Sequence, residues 1–392
     1  MQLIDFTELS PGKLVPTVSG ALAFVPAFAP RTLALDSSIV RLLGRAEHRL
    51  GKLSGATGRL LNPYLVSAQL LRREAILSSR IEETIATPEQ IALFELGTEP
   101  RTDDAREVGN FVKAMEHALS AVQAGDPITT QLMLSTHRIL MTGVRGERER
   151  PGEFRMAQNF IGLSSDINLA RFVPPPHIEL PRLLSDLERL MNEDAQELPV
   201  LVRIAIAHYQ FETIHPFGDG NGRIGRLIVM LMLIRENLLP GPLLPLSSAF
   251  DQRRNDYVGH LLHLSQTGDW TSWLRFFFES VIVSADEALR LVTALDDLRA
   301  SMHRELQDAR SSSLLIKLVD SLFERPATSI GAASELLGVT AASASANITK
   351  LAAAGILKEI TGRTRDRVYV APRILDIVSD RSVNAARLEA TR

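Results

Sequence analysis

The sequence predicts a mainly α-helical protein that contains one β-hairpin and ends in a winged helix-turn-helix domain. Long segments place apolar residues at spacings of three and four, which is the helical period, and Pro and Gly separate these segments. One stretch, residues 159–176, breaks that pattern, and the composition changes again near residue 310. A length of 392 residues is enough for two or three domains with a sizeable core.

The first elements follow from this periodicity in chain order. Asp36 is placed to cap a first helix, whose apolar face is Ile39, Leu42, Leu43, Ala46, Leu50 and Leu53. Further helices are predicted at about 64–83, 104–124, 128–142, 180–192, 200–214, 222–236 and 284–310. Within residues 159–173, apolar residues flank a Ser-Ser-Asp turn, and three prolines follow, which predicts a β-hairpin.

Beyond residue 310, three short apolar helices and a basic hairpin give the winged helix-turn-helix outline. From Ser311 onward the chain has eleven Lys and Arg against eight Asp and Glu. The third of these helices offers only Lys350 as a cation, so phosphate contacts would have to come from Lys358, Arg363, Arg365 and Arg367. DNA binding is therefore left open, beside assembly or target presentation. The expected domains are residues 1–100, 101–285, 286–310 and 311–392.

The composition excludes several classes of protein. There are no cysteines, which removes disulfides, zinc-thiolate sites, iron–sulfur clusters and cysteine nucleophiles. The longest apolar run, Leu227 to Ile234, is far shorter than a membrane span, and the N-terminus shows no secretory signal. We therefore expect a cytoplasmic protein without a membrane partner. A net charge of −3 excludes a polybasic nucleic-acid binder as a whole, although not a local basic patch.

The densest chemical signal is the stretch from 215 to 226, which reads HPFGDGNGRIGR. Its loop contains glycines at three alternate positions, Gly218, Gly220 and Gly222. The loop leads into a predicted helix, whose N-terminal N–H groups attract anions. Arg223 and Arg226 lie three apart in the first turn and point to one side, where they can hold phosphate oxygens. Asp219 suits Mg²⁺ carried by a polyphosphate, and His215 is a proton acceptor near neutral pH.

A dinucleotide-binding fingerprint is embedded in the same stretch, since Gly220, Gly222 and Gly225 satisfy G-x-G-x-x-G. That fingerprint requires a preceding strand and an acidic residue about 20 positions later. The preceding segment here is helical in pattern, and residues 243–246 are Leu-Leu-Pro-Leu. The dinucleotide interpretation is therefore rejected.

The twelve residues match the signature of the Fic family, H-P-F-x-[D/E]-G-N-G-R-x-x-R, at every defined position. From about residue 30 to 375 the chain resembles bacterial Fic proteins with a C-terminal winged helix. The resemblance implies a Fic-type helical core in which the hairpin at 159–173 is a flap that holds an extended target segment by strand addition. It also implies a protein adenylyltransferase, which transfers AMP from ATP to a Tyr, Ser or Thr hydroxyl of a target protein or of itself.

Carried onto this chain, the resemblance assigns a role to each residue of the motif. His215 would deprotonate the target hydroxyl, and Asp219 would hold Mg²⁺ against the α- and β-phosphates. Arg223 would bind the β-phosphate and Arg226 the γ-phosphate. The anion nest would be Gly220, Asn221 and Gly222, Gly218 would also bind the nucleotide, and Tyr257 would line the adenine pocket. A lysine replaces the glycine at position 222 in the branch that phosphorylates, so Gly222 favours AMP transfer.

The stretch Leu77 to Thr84 resembles the inhibitory helix of Fic proteins. Ser78 and Glu82 lie one turn apart, and the resemblance implies that Glu82 pairs with Arg226 and occupies the γ-phosphate position. Glu83 departs from the family, which usually has Gly or Asn there. Two other functions stay open: removal of AMP by a relative of this type, and a DNA-binding regulator whose core only senses nucleotide. A homodimer is among the expected assemblies.

Overall fold

A computed structural model of the chain describes residues 2–58, 63–97, 102–144, 150–162, 166–193, 197–308 and 313–379. The described residues are mainly helical, as predicted. Before residue 309 the helices are α1 (Ser37–Thr57), α2 (Pro63–Ile81), α3 (Pro88–Glu95), α4 (Asp103–Gln123), α5 (Thr130–Met141), α6 (Leu180–Asn192), α7 (Val200–Ile214), α8 (Asn221–Arg235), α9 (Ser247–Gln252), α10 (Arg254–Thr267) and α11 (Trp270–Asp308).

After these come α12 (Ser313–Glu324), β3 (Ala327–Ser329), α13 (Ile330–Leu337), α14 (Ala341–Ala353), β4 (Lys358–Glu359), β5 (Val368–Val370) and α15 (Pro372–Ser379). The three strands form an antiparallel sheet in the order β3-β5-β4. This sequence of elements follows the outline expected beyond residue 310. We call residues 313–379 the C-terminal unit; its assignment as a winged helix-turn-helix domain stays a prediction.

The N-terminal end holds a hairpin that the sequence did not announce. Its strands are β1 (Gly12–Pro16) and β2 (Leu22–Pro26), and they pair with Leu14 opposite Phe24. Phe24 N donates to Val173 O at 2.9 Å, so the hairpin supports the exit of the predicted flap. The flap itself is less regular than predicted. Its described residues make a single antiparallel bridge, Ile161 to Phe172, rather than two strands, and residues 163–165 lie outside the described residues.

Helix α1 begins at the predicted cap. Asp36 Oδ1 accepts hydrogen bonds from Ser38 N at 2.6 Å and Ile39 N at 3.0 Å, and every residue of the predicted apolar face is buried. That face packs along α11, which runs for 39 residues without a break, or about 58 Å. The helix predicted at 284–310 is thus the later part of one helix that begins at Trp270, and residues 309–310 lie outside the described residues.

Helices α7 and α8 form the centre of the molecule and carry the motif between them. Residues Leu227 to Ile234 of α8 are all buried, because α2, α4, α5 and α7 surround that helix. Helix α11 is tied to α7 where Trp273 Nε1 donates to Ala205 O at 2.9 Å. The loop from 215 to 220 therefore rises from a tightly packed base, which fixes the position of its backbone.

Helix α2 ends in a turn that contains Glu82, the predicted inhibitory residue, and the left-handed residue Glu83. The helix ends at Ile81, Glu83 N donates to Arg80 O at 3.0 Å, and Thr84 N donates to Ser79 O at 3.0 Å. These two bonds form a Schellman motif, in which the residue at the C′ position is left-handed and usually Gly. Here that residue is Glu83, with φ of 66°. The family's preference for Gly or Asn at this position thus has a backbone explanation.

Candidate active site

The motif loop is shaped by two left-handed residues and one buried amide. His215 has φ of 48° and Gly220 has φ of 77°, so the chain reverses at both ends of the loop. Asn221 closes the loop across itself: its Oδ1 accepts from Phe217 N at 2.8 Å and its Nδ2 donates to Phe217 O at 2.9 Å. The first intrahelical bond of α8 runs from Ile224 N to Gly220 O. The N–H groups ahead of it have no acceptor within the helix.

The His215 imidazole is half-buried and held in one tautomer. Its Nδ1 lies 3.2 Å from the backbone oxygen of Glu212. Because a carbonyl oxygen can only accept, Nδ1 carries the proton and Nε2 is left as the basic nitrogen. Burial lowers the pKa of His215 to about 4, so the ring is neutral at pH 7.

Three residues that sequence reasoning did not select hold the loop from outside. Arg155 Nε donates to His215 O at 2.9 Å, and Arg155 N donates to Pro216 O at 2.9 Å. Asn159 Nδ2 donates to Phe217 O at 3.0 Å. His137 Nδ1 accepts from Gly152 N at 3.0 Å, which leaves Nε2–H to donate to Asp219 O at 3.0 Å. The sequence placed Arg155 and Asn159 near the flap, since Asn159 is the first residue of the predicted hairpin and Arg155 lies four residues before it.

Asp219 is the one acidic side chain of the motif and is 44% exposed. Its Oδ1 accepts from Gly220 N at 2.6 Å and lies 3.9 Å from Arg223 Nη2. Among the described residues there is no group of three or more His, Asp or Glu side chains arranged to hold a metal ion by themselves. A single exposed carboxylate fits Mg²⁺ that arrives already coordinated by phosphates.

Arg223 lies beneath the loop, not on the wall of the cleft that contains the motif. Its side chain is 3% exposed, with Nη1 3.2 Å from Glu107 Oε2 and Nη2 3.6 Å from Met141 Sδ. Glu107 Oε2 also accepts from Thr84 Oγ1 at 2.9 Å. Contact between Arg223 and a phosphate therefore requires a rearrangement of this buried pair, which the sequence did not indicate.

Arg226 brings the two predicted inhibitory residues together. Its Nε donates to Ser78 Oγ at 2.8 Å, and its Nη2 donates to Ser78 O at 2.9 Å and to Glu82 Oε1 at 2.8 Å. Burial, the largest single influence, would raise the pKa of Glu82, but the charge and hydrogen bond of Arg226 together with the charge of Arg223 hold that pKa below its ordinary value. The ion pair therefore stays charged at neutral pH.

Gly222 lies directly against this ion pair. A Cβ at that position would be 2.2 Å from Glu82 Oε1 and 2.8 Å from Arg226 Nη1. No side chain fits there while the pair is formed. Gly222 thus serves two purposes, since the same absence of a side chain opens the helix N-terminus to an anion.

Tyr257 lies on the cleft but is packed into an aromatic cluster. It is 3% exposed, stacks on Phe250 with ring centroids 4.4 Å apart, and its hydroxyl lies 2.9 Å from His208 Nε2. Nearby, burial raises the pKa of Glu212 to about 7, and Glu212 Oε1 is a buried acceptor without a hydrogen-bond partner. A Cβ at Gly225 would be 2.3 Å from that oxygen, so Gly225 makes the room for it. The sequence did not indicate Glu212.

His215, Asp219, Arg226 and Tyr257 line one cleft with a volume of about 480 Å³, a size typical of a small-molecule site. The motif loop and Glu82 form one wall, and the flap contributes Ile161 and Phe172. Helix α10 forms the far wall with an apolar strip that includes Val258, Leu261 and Leu262. The cleft therefore joins an anion-attracting end to an apolar end.

Comparison with known proteins agrees with this geometry. Residues 127–233 match the Fic/DOC family, and residues 40–120 match the N-terminal region of the same family. The chain therefore contains a Fic/DOC domain preceded by the N-terminal region of that family. The resemblance to this family that the sequence indicated is confirmed over these two segments, and the second of them contains α2.

The curated relatives align with only part of this chain, and the aligned region is less than half of each relative. "Protein adenylyltransferase Fic" of Drosophila yakuba is 32% identical over 175 residues, which is 44% of this chain and 32% of that protein. The protein of the same name from Drosophila grimshawi is 29% identical over 217 residues, or 55% of this chain and 41% of that protein. The chain thus spans less than half of the length of these curated relatives.

Solved structures support the fold. A Fic family protein from Desulfovibrio desulfuricans G20 superposes with a TM-score of 0.55 at 23% identity, covering 86% of this chain and 97% of that one. A Fic domain containing signaling protein from Bacteroides thetaiotaomicron gives a TM-score of 0.50 at 19% identity, covering 66% of this chain and 97% of that one.

No helix in the described residues combines the length and apolar character that a membrane crossing needs.

Proposed function

We propose that the protein is an adenylyltransferase that transfers AMP from ATP to a hydroxyl group of a protein, its own chain included. The observation that carries this proposal is a neutral His215, with Nε2 as its basic nitrogen, at the edge of a loop that leads into the open N-terminus of α8. A base and an anion site in this arrangement suit an attack on phosphorus. The printed names of the curated relatives support the same activity.

In the proposed step His215 Nε2 takes the proton of a Tyr, Ser or Thr hydroxyl. The hydroxyl oxygen forms a bond to the α-phosphorus as the bond from that phosphorus to the bridging oxygen of the β-phosphate breaks. Pyrophosphate leaves, and AMP stays on the protein. The N–H groups of the first turn of α8 and the positive end of that helix stabilise the negative charge.

Asp219 is the residue that would hold Mg²⁺, since its carboxylate is half-exposed beside the loop. When bound, the ion neutralises charge on the phosphates. Arg226 would bind the γ-phosphate, and Arg223 the β-phosphate once its pair with Glu107 rearranges. The apolar strip on α10 suits the adenine ring, with Tyr257 behind it.

We also propose that the protein is inhibited by its own Glu82. The carboxylate takes the place on Arg226 that a terminal phosphate would take, at 2.8 Å from Nη2. ATP then binds without the contact between its γ-phosphate and Arg226, and this contact is what orients the α-phosphorus toward the flap. Inhibition of this kind is relieved when Glu82 leaves Arg226.

Label position in ATP provides the test. The purified protein is incubated with Mg²⁺, a cell lysate and ATP labelled either at the α- or at the γ-phosphate. Compared with lysate alone, the proposal expects added labelling from α-labelled ATP, weak for the inhibited wild type and stronger for Glu82→Gly. It expects no added labelling from γ-labelled ATP, and none from either label with His215→Ala. Added labelling from the γ-phosphate alone would identify a kinase and overturn the proposal.

A further inference from the structure

Helix α2 contacts two distant parts of the molecule along its length. Its last turn holds Ser78, and the residue after its end, Glu82, is bonded to Arg226. Its middle contacts the C-terminal unit, through α12 on one side and α15 on another. The helix that delivers the inhibitory carboxylate is therefore also a contact surface for residues 313–379.

The contact with α12 is buried and directional. Gln69 is 1% exposed, and its Nε2 donates to the backbone oxygen of Phe323 at 2.6 Å. That oxygen lies in the last turn of α12, where backbone carbonyls receive no hydrogen bond from an N–H group of the same helix. The bond thus satisfies a helix end that would otherwise be buried without a partner.

The contact with α15 uses a buried arginine. Arg73 Nη1 donates to the backbone oxygen of Val378 at 2.7 Å, in the last turn of α15. Nη2 of the same arginine pairs with Glu287 of α11, and the two side chains are 6% and 12% exposed. One guanidinium therefore joins α2 to both the C-terminal unit and the long helix that leads to it.

The distance between these contacts and the inhibitory residues is short. Arg73 precedes Ser78 by five residues, which is about 7.5 Å along a helix. Because α2 is continuous over this interval, a displacement at Arg73 moves Ser78 as well. The Schellman turn then ties Glu82 to the end of the same helix.

We propose that the C-terminal unit is a lock on the inhibitory segment. While α12 and α15 are seated on α2, Glu82 stays on Arg226; when they are displaced, α2 shifts and the arginine is released to nucleotide. By linkage, any partner that binds the C-terminal unit more tightly when the unit is displaced than when it is seated on α2 activates transfer. This inference rests on the proposed inhibition by Glu82.

The test perturbs the lock from both sides in the full chain. Arg73→Gln removes the α2 side of the contact. Leu375→Ala removes a buried α15 side chain that lines the cleft shared by α15, α2 and the start of α3 and that packs with Ala92 of α3. The matched control is Arg373→Gln, on the same helix, because Arg373 pairs with Glu305 of α11 and not with α2. Each variant is made alone and together with Glu82→Gly.

Two readouts are measured. The first is AMP transfer, for which we expect a rise of about tenfold in Arg73→Gln and a smaller rise in Leu375→Ala. The control should be unchanged, and neither variant should add to Glu82→Gly. The second is hydrogen exchange of residues 74–84, which should be faster in Leu375→Ala and unchanged in Arg373→Gln.

The two readouts separate the possible failures. If Glu82→Gly does not raise transfer, the proposed inhibition is wrong, and the exchange measurement alone decides whether the C-terminal unit fixes α2. If Glu82→Gly raises transfer but Leu375→Ala changes neither transfer nor exchange, the lock is wrong. Where Arg73→Gln does not fold, Gln69→Leu replaces it, because it removes the α12 contact at nearly constant volume.

Discussion

Arg226 and Glu82 form a 2.8 Å ion pair in which the arginine side chain is 1% exposed and the glutamate side chain is 38% exposed. The cation is fixed in the interior while its partner stands at the cleft. Departure of Glu82 would leave a buried cation beside the loop, and an anion from solution would then be attracted to it. The ion pair is therefore an exchangeable site for negative charge, and this property underlies the first prediction.

Glu82→Gly is expected to raise AMP transfer, including transfer onto the protein itself, because it frees Arg226 for the triphosphate. Ser78→Ala should act in the same direction more weakly, since it removes one hydrogen bond worth about 1 kcal/mol. The measurement is incorporation of α-labelled AMP at matched protein concentration. The double variant Glu82→Gly with Arg226→Ala should lose the gain. A Glu82→Gly protein no more active than wild type would contradict inhibition, and loss of AMP removal would favour the reverse reaction.

His215→Ala is expected to abolish transfer while ATP binding changes little, because the phosphates are held by the loop and the arginines. The matched readouts are labelled transfer and equilibrium binding of ATP. Transfer at a near-normal rate in this variant would show that the base is another group.

The titration of His215 is the third prediction. Because burial lowers its pKa to about 4, the ring should stay neutral as the pH falls through 6.5, and it should gain its proton only near pH 4. NMR of the ring carbons in the protein without nucleotide reports this midpoint, with His215→Ala used to assign the signal. A midpoint near the ordinary value would show that the ring is solvated, and the argument for a standing neutral base would fail.

Asp219→Ala is expected to lose transfer and also the tightening of ATP binding by Mg²⁺. The carboxylate is the exposed acidic group beside the loop, so its loss should flatten the dependence of ATP affinity on Mg²⁺ concentration. Calorimetry with and without Mg²⁺ measures this. An unchanged metal dependence would remove Asp219 from that role.

Glu83→Gly is expected to lower basal transfer. Glu83 has a left-handed backbone that costs a non-Gly residue about 1 kcal/mol, and its ion pair with Arg254 is long at 3.4 Å and exposed. Glycine should therefore stabilise the turn that holds Glu82 in place. Thermal unfolding and transfer are measured together, and Arg254→Ala controls for loss of the exposed pair. A rise in transfer would contradict this account.

Much of the fold was readable because local signals agreed with the packing. The cap at Asp36 and its apolar face predicted α1 correctly, and the unbroken apolar run after Arg226 predicted a central α8. The prediction made the flap too regular. Its apolar alternation is typical of a hairpin, yet among the residues of this segment that the structure describes only Ile161 and Phe172 pair. The sequence pattern records which residues favour strands, but it does not record how many of them find a partner.

The site was readable where the chemistry lies within twelve consecutive residues. Apart from Glu212, which lies three residues before the motif, the residues that were missed are distant from it along the chain. Arg155 and His137 bind backbone oxygens of the loop, and a backbone oxygen is present whatever the residue type, so the loop sequence does not indicate such a contact. Glu107, which pairs with Arg223, lies 116 positions before it in the chain. The burial of Arg223 is a property of packing, so no spacing within the motif predicts it.

The left-handed turn at the end of α2 has a consequence for how the protein's activity can be altered by mutation. Glutamate and glycine codons differ by one nucleotide, so Glu82→Gly and Glu83→Gly are each a single base change, in neighbouring codons. The first removes the inhibitory carboxylate, and the second removes the backbone strain in the turn that holds this carboxylate in place. Two adjacent point mutations of the same chemical kind would thus shift this protein's basal activity in opposite directions.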